Sequence, residues 1–206
     1  MKSLELFAGA GGLGIGLSRA GFDPVAVIER DAYCCDTLLE NKRRRVTPVN
    51  SWPVVKADVR DYNFAQHAGE IVLVSGGPPC QPFSLGGKHK AEDDSRDMFP
   101  EAVRAVREIQ PKAFIFENVK GLTRESFASY FQYILLQMQH PQEVKLEQEG
   151  WREHLARLER HHVSRTPKGL HYKLLFELLN AANYGVPPKG ARVFFVGFRS
   201  DIASDW

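Results

Sequence analysis

Leu4-Glu5-Leu6-Phe7-Ala8-Gly9-Ala10-Gly11-Gly12-Leu13-Gly14 is the stretch that decides the fold of this chain. Ser3 to Phe7 reads as a strand, the glycines as a tight turn, and Gly12 to Ala20 as a helix. Glycine lets the backbone turn sharply and approach a ligand closely. The helix start offers free amides. Gly9, Gly11 and Gly14 formally satisfy G-x-G-x-x-G, a pattern that alone suggests a nicotinamide or flavin dinucleotide.

The same alternation continues outward. Pro24 to Glu29 reads as a second strand, followed by a helix to about Asn41. Glu29 ends that strand roughly 20 residues on, where such folds place an acid for ribose hydroxyls. Val54 to Ala57 is a short third strand ending at Asp58, which either accepts from an adenine amino group or caps a helix. Ile71 to Ser75 and Ala113 to Glu117 are the fourth and fifth strands. Between them Phe99 to Ile109 is helical, with Ala102, Val103, Val106 and Ile109 on one face. Ser126 to Gln139 is helical. Tyr172 to Leu179 and Arg192 to Phe198 are the last strands, joined by a loop from Asn183 to Gly190. Gln142 to His162 is charged and reads as one or two surface helices, in an insertion at about 140–168. His161 and His162 are expected at the surface, not on a metal. The pattern predicts an α/β fold with a doubly wound, mostly parallel sheet of Rossmann-like kind.

At 206 residues, 43% hydrophobic and 25% charged, the chain is long and apolar enough for one globular domain, 1–206, and disorder is excluded as the default. A net charge of +2 confines any nucleic-acid surface to a local patch. Lys42-Arg43-Arg44-Arg45 is the obvious basic run, evenly balanced between a solvated helix end and phosphate contact. Three cysteines without a CxxC spacing argue against a disulfide framework or structural zinc. Neither a signal peptide nor a membrane-length apolar run is visible, so an intracellular setting without membrane or metal is expected.

Gly76-Gly77-Pro78-Pro79-Cys80-Gln81-Pro82-Phe83-Ser84 carries the chemistry. The prolines stiffen the loop and exclude helix, so the thiol is placed at the C-terminal end of the fourth strand, where open α/β sheets bind ligands. A hydride-transfer enzyme has no need of a thiol there. Methyl transfer to a pyrimidine carbon does, because cytosine C5 is a poor nucleophile until a thiolate adds to C6. The base must also be activated at N3, and Glu117, at the end of the fifth strand, is the candidate.

Phe7-Ala8-Gly9-Ala10-Gly11-Gly12, Pro78-Pro79-Cys80-Gln81-Pro82-Phe83-Ser84, Glu117-Asn118-Val119-Lys120-Gly121 and Asn183-Tyr184-Gly185-Val186-Pro187, in this order, resemble the C5-cytosine DNA methyltransferases over nearly the whole chain. The resemblance implies S-adenosylmethionine as methyl donor and a seven-stranded sheet with one antiparallel strand. It also implies double-stranded DNA with a flipped cytosine as substrate, and a bacterial restriction-modification setting. Carried over by position, Cys80 is the nucleophile, Glu117 the N3 partner, Arg192 the O2 contact, and Asn118 lies with them. Phe7, Ala8, Gly9, Gly11, Gly12, Glu29, Asp58 and Val59 hold the cofactor, with Pro79 beside the transfer site. Gln81 to Met98 is the mobile loop, with Gln81, Ser84, Lys88 and Arg96 toward DNA. In two respects the chain departs from the family. Pro188 and Gly190 replace a glutamine and an arginine, the latter worth about 1.5–3 kcal/mol of charge-assisted contact. The sequence ends at Trp206, before the expected target-recognition domain, so an exposed apolar flank, a complementary C-terminal chain and weak stand-alone activity are expected. An RNA cytosine-5 methyltransferase and a non-catalytic subunit are the alternatives.

Overall fold

Seven strands and five α-helices are present among the described residues, 1–80, 97–164, 169–186 and 190–202 of a computed structural model. In chain order they are β1 (Lys2–Leu6), α1 (Gly12–Arg19), β2 (Asp23–Glu29), α2 (Ala32–Arg43), β3 (Val54–Lys56), β4 (Leu73–Gly76) and α3 (Phe99–Ile109). Then follow β5 (Ala113–Val119), α4 (Ala128–Gln139), α5 (Trp151–His162), β6 (Tyr172–Asn180) and β7 (Ala191–Arg199). The strands form one sheet in the order β3-β2-β1-β4-β5-β7-β6. All pairs from β3 to β5 are parallel, and β7 runs antiparallel to both β5 and β6. The chain winds outward from β1 to β3, then returns to β4 on the other side of β1. That reversal separates the loops leaving β1 and β4 and opens a crevice at their C-terminal ends. The expected doubly wound, mostly parallel sheet is the one observed.

The first and fourth strands are covered on both faces, so even the polar residues Ser3, Glu5 and Ser75 are buried. All four residues of β4 are buried, as are the last four of β1. Helix α3 covers one face with Ala102, Val103, Val106 and Ile109, all buried as the spacing predicts. Phe114, Phe116 and Phe195 fill the layer beneath it without exposure. The sheet ends differently at β6, an edge strand on which Leu175, Phe176 and Leu178 remain 43%, 47% and 40% exposed.

Several boundaries differ from the sequence expectation. β1 stops at Leu6 because Phe7 takes a left-handed backbone (φ 52°). β5 continues past Glu117 to Val119, because β7 pairs Glu117 with Phe194 and Val119 with Arg192. Only Trp151–His162 of the charged segment is helical. Its preceding loop is gathered by Arg157, which donates to Glu143, Glu149 and the Val144 carbonyl. This helix is not a bare surface element. His154 is 1% exposed, held between the Tyr133 hydroxyl and the Glu143 carbonyl, and Trp151 packs on Tyr130 and Tyr133. His161 and His162 close on the buried His140, whose Nε2 lies 2.9 Å from His162 Nδ1. Among the described residues there is no group of three or more His, Cys, Asp or Glu able to hold a metal. Nor is any described helix long and apolar enough to cross a membrane. The basic run is largely spent locally: Arg43 and Arg44 both pair with Glu40, and Lys42 donates to the Trp52 carbonyl.

Candidate active site

The chain leaves β1 through an unusual conformation. A left-handed backbone at a bulky residue is costly and persists only where its surroundings fix it. At Phe7 it turns the chain toward Gly9, whose own φ of 55° suits glycine. The Gly9 amide then donates 2.7 Å to Glu29 Oε2 at the end of β2, and the other oxygen of Glu29 accepts from the amides of Arg30 and Asp31. Glu29 is thus oriented by backbone alone. Phe7, Ile28, Glu29, Ala57, Asp58 and Val59 line one side of the crevice. Asp58 caps the short turn after β3 by accepting from the Arg60 amide, and is paired with the Arg60 and Arg30 guanidinium groups. These hydrogen bonds and charges, Arg60 foremost, hold its carboxyl well below the usual range.

One acid in this wall was not singled out from sequence. Glu5 lies in the middle of β1, 2% exposed, and accepts 3.0 Å from the Gly14 amide in the first turn of α1. Burial pushes its carboxyl up to about 7, against the lowering effect of the Gly14 bond. Gly14 must be glycine: an added Cβ would lie 1.9 Å from Glu5 Oε2. Glu5 lines a recess of about 470 Å³ together with Phe7, Ala8, Gly12, Gly77 and Glu117. The available signal was an acid between Leu4 and Leu6 in the first strand, which requires a partner once that strand is buried on both faces.

Across the crevice, β4 ends at Gly76 and the stiff loop follows. Pro79 is exposed, while Cys80 is only 6% exposed and packs into the core. The thiol is therefore more enclosed than a loop position implies. Burial raises its pKa, and the charge of Asp97 raises it further. Asn118 sits behind this loop: its Nδ2 donates 2.9 Å to the Pro78 carbonyl and its Oδ1 accepts from the Val119 amide. Its carboxamide braces the backbone of the loop, and Asn118 lines the same cleft as Cys80 and Glu117.

Glu117 and Arg192 meet because β5 and β7 are antiparallel neighbours; Arg192 Nε lies 2.7 Å from Glu117 Oε1. Burial raises the Glu117 pKa and the Arg192 charge opposes it. Cys80, Glu117, Gly77, Pro78 and Pro79 line a single cleft of about 270 Å³. Gln81, Ser84, Lys88, Arg96 and Pro188 lie outside the described residues. Gly11 is buried at the start of α1 with φ 89°, and Gly190 accepts from the Ala181 amide beside β7.

Comparison with known proteins gives this arrangement its relatives. A family model for C-5 cytosine-specific DNA methylase matches residues 1–141. Type II methyltransferase M.NgoMIV of Neisseria gonorrhoeae is 37% identical over 202 residues, covering 98% of this chain and 53% of its own length. Type II methyltransferase M.AquIA of a Picosynechococcus strain is 35% identical over 206 residues, covering 96% and 72%. The chain thus spans about half the length of M.NgoMIV and more of M.AquIA. A crystal structure described as a DNA modification methyltransferase encoded within an Escherichia coli prophage superposes with TM-score 0.66 at 28% identity. It covers all of this chain and 49% of that one. Spodoptera frugiperda DNMT2, at 18% identity and TM-score 0.62, shares the fold. With a family model matched over residues 1–141 and two Type II relatives of 35–37% identity along nearly all of its length, this chain belongs to the C-5 cytosine-specific DNA methylase family.

Proposed function

We propose that residues 1–206 form one catalytic unit that transfers a methyl group from S-adenosylmethionine to C5 of a cytosine extruded from DNA. The observation that carries this is the shared cleft, in which the Cys80 loop faces Glu117 next to the glycine turn. The family and the fold imply S-adenosylmethionine, and the residues present suit it. Phe7, Ile28 and Val59 offer apolar walls for a purine, Glu29 an oriented carboxylate for ribose hydroxyls, and Asp58 a second acceptor. Ala8, Gly9, Gly11 and Gly12 shape the adjoining turn, and Pro79 marks the passage to the cytosine side.

When bound, this cofactor supplies an electrophilic methyl group on a sulfonium. The chain's own residues prepare the acceptor. Cys80 sulfur, after losing its proton to water, bonds to C6; the C5–C6 π electrons shift toward C5, and Glu117 donates at N3 a hydrogen bond or a proton, which it recovers when the sulfur leaves. Partial burial raises the Glu117 pKa, which favours proton uptake there, and the Arg192 charge opposes it. The 2.7 Å pair between Arg192 and Glu117 supports a role for Arg192 in orienting that acid, and we assign the arginine to the O2 edge of the ring. After C5 carries the methyl group, water removes the C5 proton, and the electron pair expels the Cys80 sulfur. The DNA substrate is supported by the matched family model. Target recognition is assigned to a complementary C-terminal portion, in keeping with the 53% coverage of M.NgoMIV.

The test is covalent trapping. The chain, alone and supplied with the C-terminal portion of a relative, is incubated with S-adenosylmethionine and duplexes carrying 5-fluorocytosine at every cytosine. Fluorine blocks loss of the C5 substituent, so a stable adduct mapping to the Cys80 peptide is expected. An adduct on another residue, or none in either preparation, refutes the nucleophile. An adduct with 5-fluorocytosine RNA but not DNA replaces the substrate.

A further inference from the structure

Cys80 has a partner that its own sequence neighbourhood does not announce. Cys80 and Asp97 form an isolated antiparallel bridge, and the Met98 amide donates 3.0 Å to the Pro79 carbonyl beside it. Directly paired residues of an antiparallel ladder project to the same face, with Cβ atoms about 4.5–5.5 Å apart. The Asp97 carboxylate is therefore on the side of the thiol, and two further bonds hold it. Its Oδ1 accepts 3.1 Å from the Phe99 amide at the start of α3, and its Oδ2 accepts from the hydroxyl of Tyr130 on α4. Tyr130 is 6% exposed, so this acceptor is fixed inside the protein.

Building on the assignment of Cys80 as nucleophile, we propose that Asp97 is a positioning residue that keeps Cys80 in its protonated, unreactive form while the bridge is closed. A fixed negative charge beside a buried sulfur opposes formation of a second negative charge. Among the described residues, the groups facing Cys80 are Asp97 at the approach to α3, Tyr130 on α4 and Glu117 on β5 across the cleft. None of them is a cation, and Arg192 is taken up by Glu117. The direction of the Cys80 pKa, upward from burial and then from Asp97, agrees with this arrangement. A nucleophile held as a thiol resists alkylation and oxidation until substrate separates the pair, since the thiolate is the reactive form.

The test reads the pH dependence of Cys80 alkylation by iodoacetamide in the full chain, with peptide mapping to separate it from Cys34 and Cys35. Asp97→Asn keeps a side-chain acceptor for the Phe99 amide and removes the charge. Its alkylation midpoint should fall by about one pH unit, which is about tenfold faster modification near pH 8. Asp97→Ser, which also caps without charge, should do the same and serves if the first variant does not fold. A fall of less than about half a unit in the folded variant, or a rise, overturns the proposal, whatever happens to thermal stability. In the unsubstituted chain Cys80 should react more slowly than Cys34 at neutral pH; faster reaction overturns it without any variant. Because alkylation reports on the thiol itself, a failure here is distinct from a failure to form the 5-fluorocytosine adduct.

Discussion

The two walls of the crevice are held by different means. On the β1–β2 side, ligand-facing acids are fixed by backbone amides: Gly9 to Glu29, and Gly14 to Glu5. On the β5–β7 side the corresponding acid, Glu117, is held by Arg192, whose side chain is 49% exposed. Beyond it the sheet ends in β6, with Leu175, Phe176 and Leu178 partly uncovered. Backbone bonds leave little freedom, whereas a half-exposed ion pair can be rearranged at small cost, because such pairs are worth about 0–1 kcal/mol. The first wall is complete in itself; the second is arranged to be finished by what it meets.

The sharpest break between the walls is Cys80→Ala. Adduct formation and methyl transfer should fall by at least about 10³-fold, while S-adenosylmethionine affinity measured by calorimetry stays within about twofold. A parallel loss of affinity would mean that the walls are not separable.

Glu5→Gln tests the finished wall. Burial raises the Glu5 carboxyl in the folded chain from its ordinary 4.5 to about 7. Below the lower value both states are protonated and the burial cost is absent. As pH rises through the window, the unfolded chain ionises first and the native state loses about 3 kcal/mol. Denaturant titrations of wild type at about pH 4.5 and pH 8 should show that loss, and the glutamine variant should lack it. The histidines of the α4–α5 contact act in the opposite direction: burial lowers His140 to about 4, so its contribution is present above 6.5 and lost as pH falls toward 4. The pH difference between wild type and E5Q isolates Glu5 from that background.

Glu117→Gln keeps a hydrogen bond but not the proton, and methyl transfer should drop about 10²-fold with fold stability nearly unchanged. Arg192→Ala should alter stability by less than about 1 kcal/mol, and move the Glu117 titration upward, as read by carboxylate NMR shifts. A large stability loss would show the second wall to be as fixed as the first. The smallest effect belongs to the edge. Leu175→Lys should change the unfolding free energy by no more than about 0.5 kcal/mol, yet weaken assembly with a C-terminal portion from a relative in a pull-down.

What could be read from the sequence follows the same division. The glycine turn, Glu29 and the helix face of α3 depend on neighbours close in the chain, and their patterns place them. Glu5 escaped because an acid alternating with Leu4 and Leu6 is equally compatible with a solvent-facing side of the strand; only its burial and the Gly14 contact give the acid a purpose. The enclosure of Cys80 depends on Asp97 and Tyr130, beyond the loop and on another helix, and no local pattern in the proline frame encodes them. The extra length of β5 depends on pairing with the last strand. The charged segment looked like solvated surface because its buried members, His154 and Leu158, are two positions among many charged ones.

Strand β7 inserts between β5 and β6, and it is the last strand of the described chain. Domains emerge from the ribosome N-terminus first. The glycine turn, β2 and the Pro-Pro-Cys loop therefore leave the ribosome well before Arg192 can reach Glu117. A nascent chain can assemble the β1–β2 wall while the edge of β5 is still open, and the Glu117–Arg192 pair closes only after β7 has left the ribosome. The order of strands in space thus leaves Glu117 on an unpaired edge until the last described strand has been made.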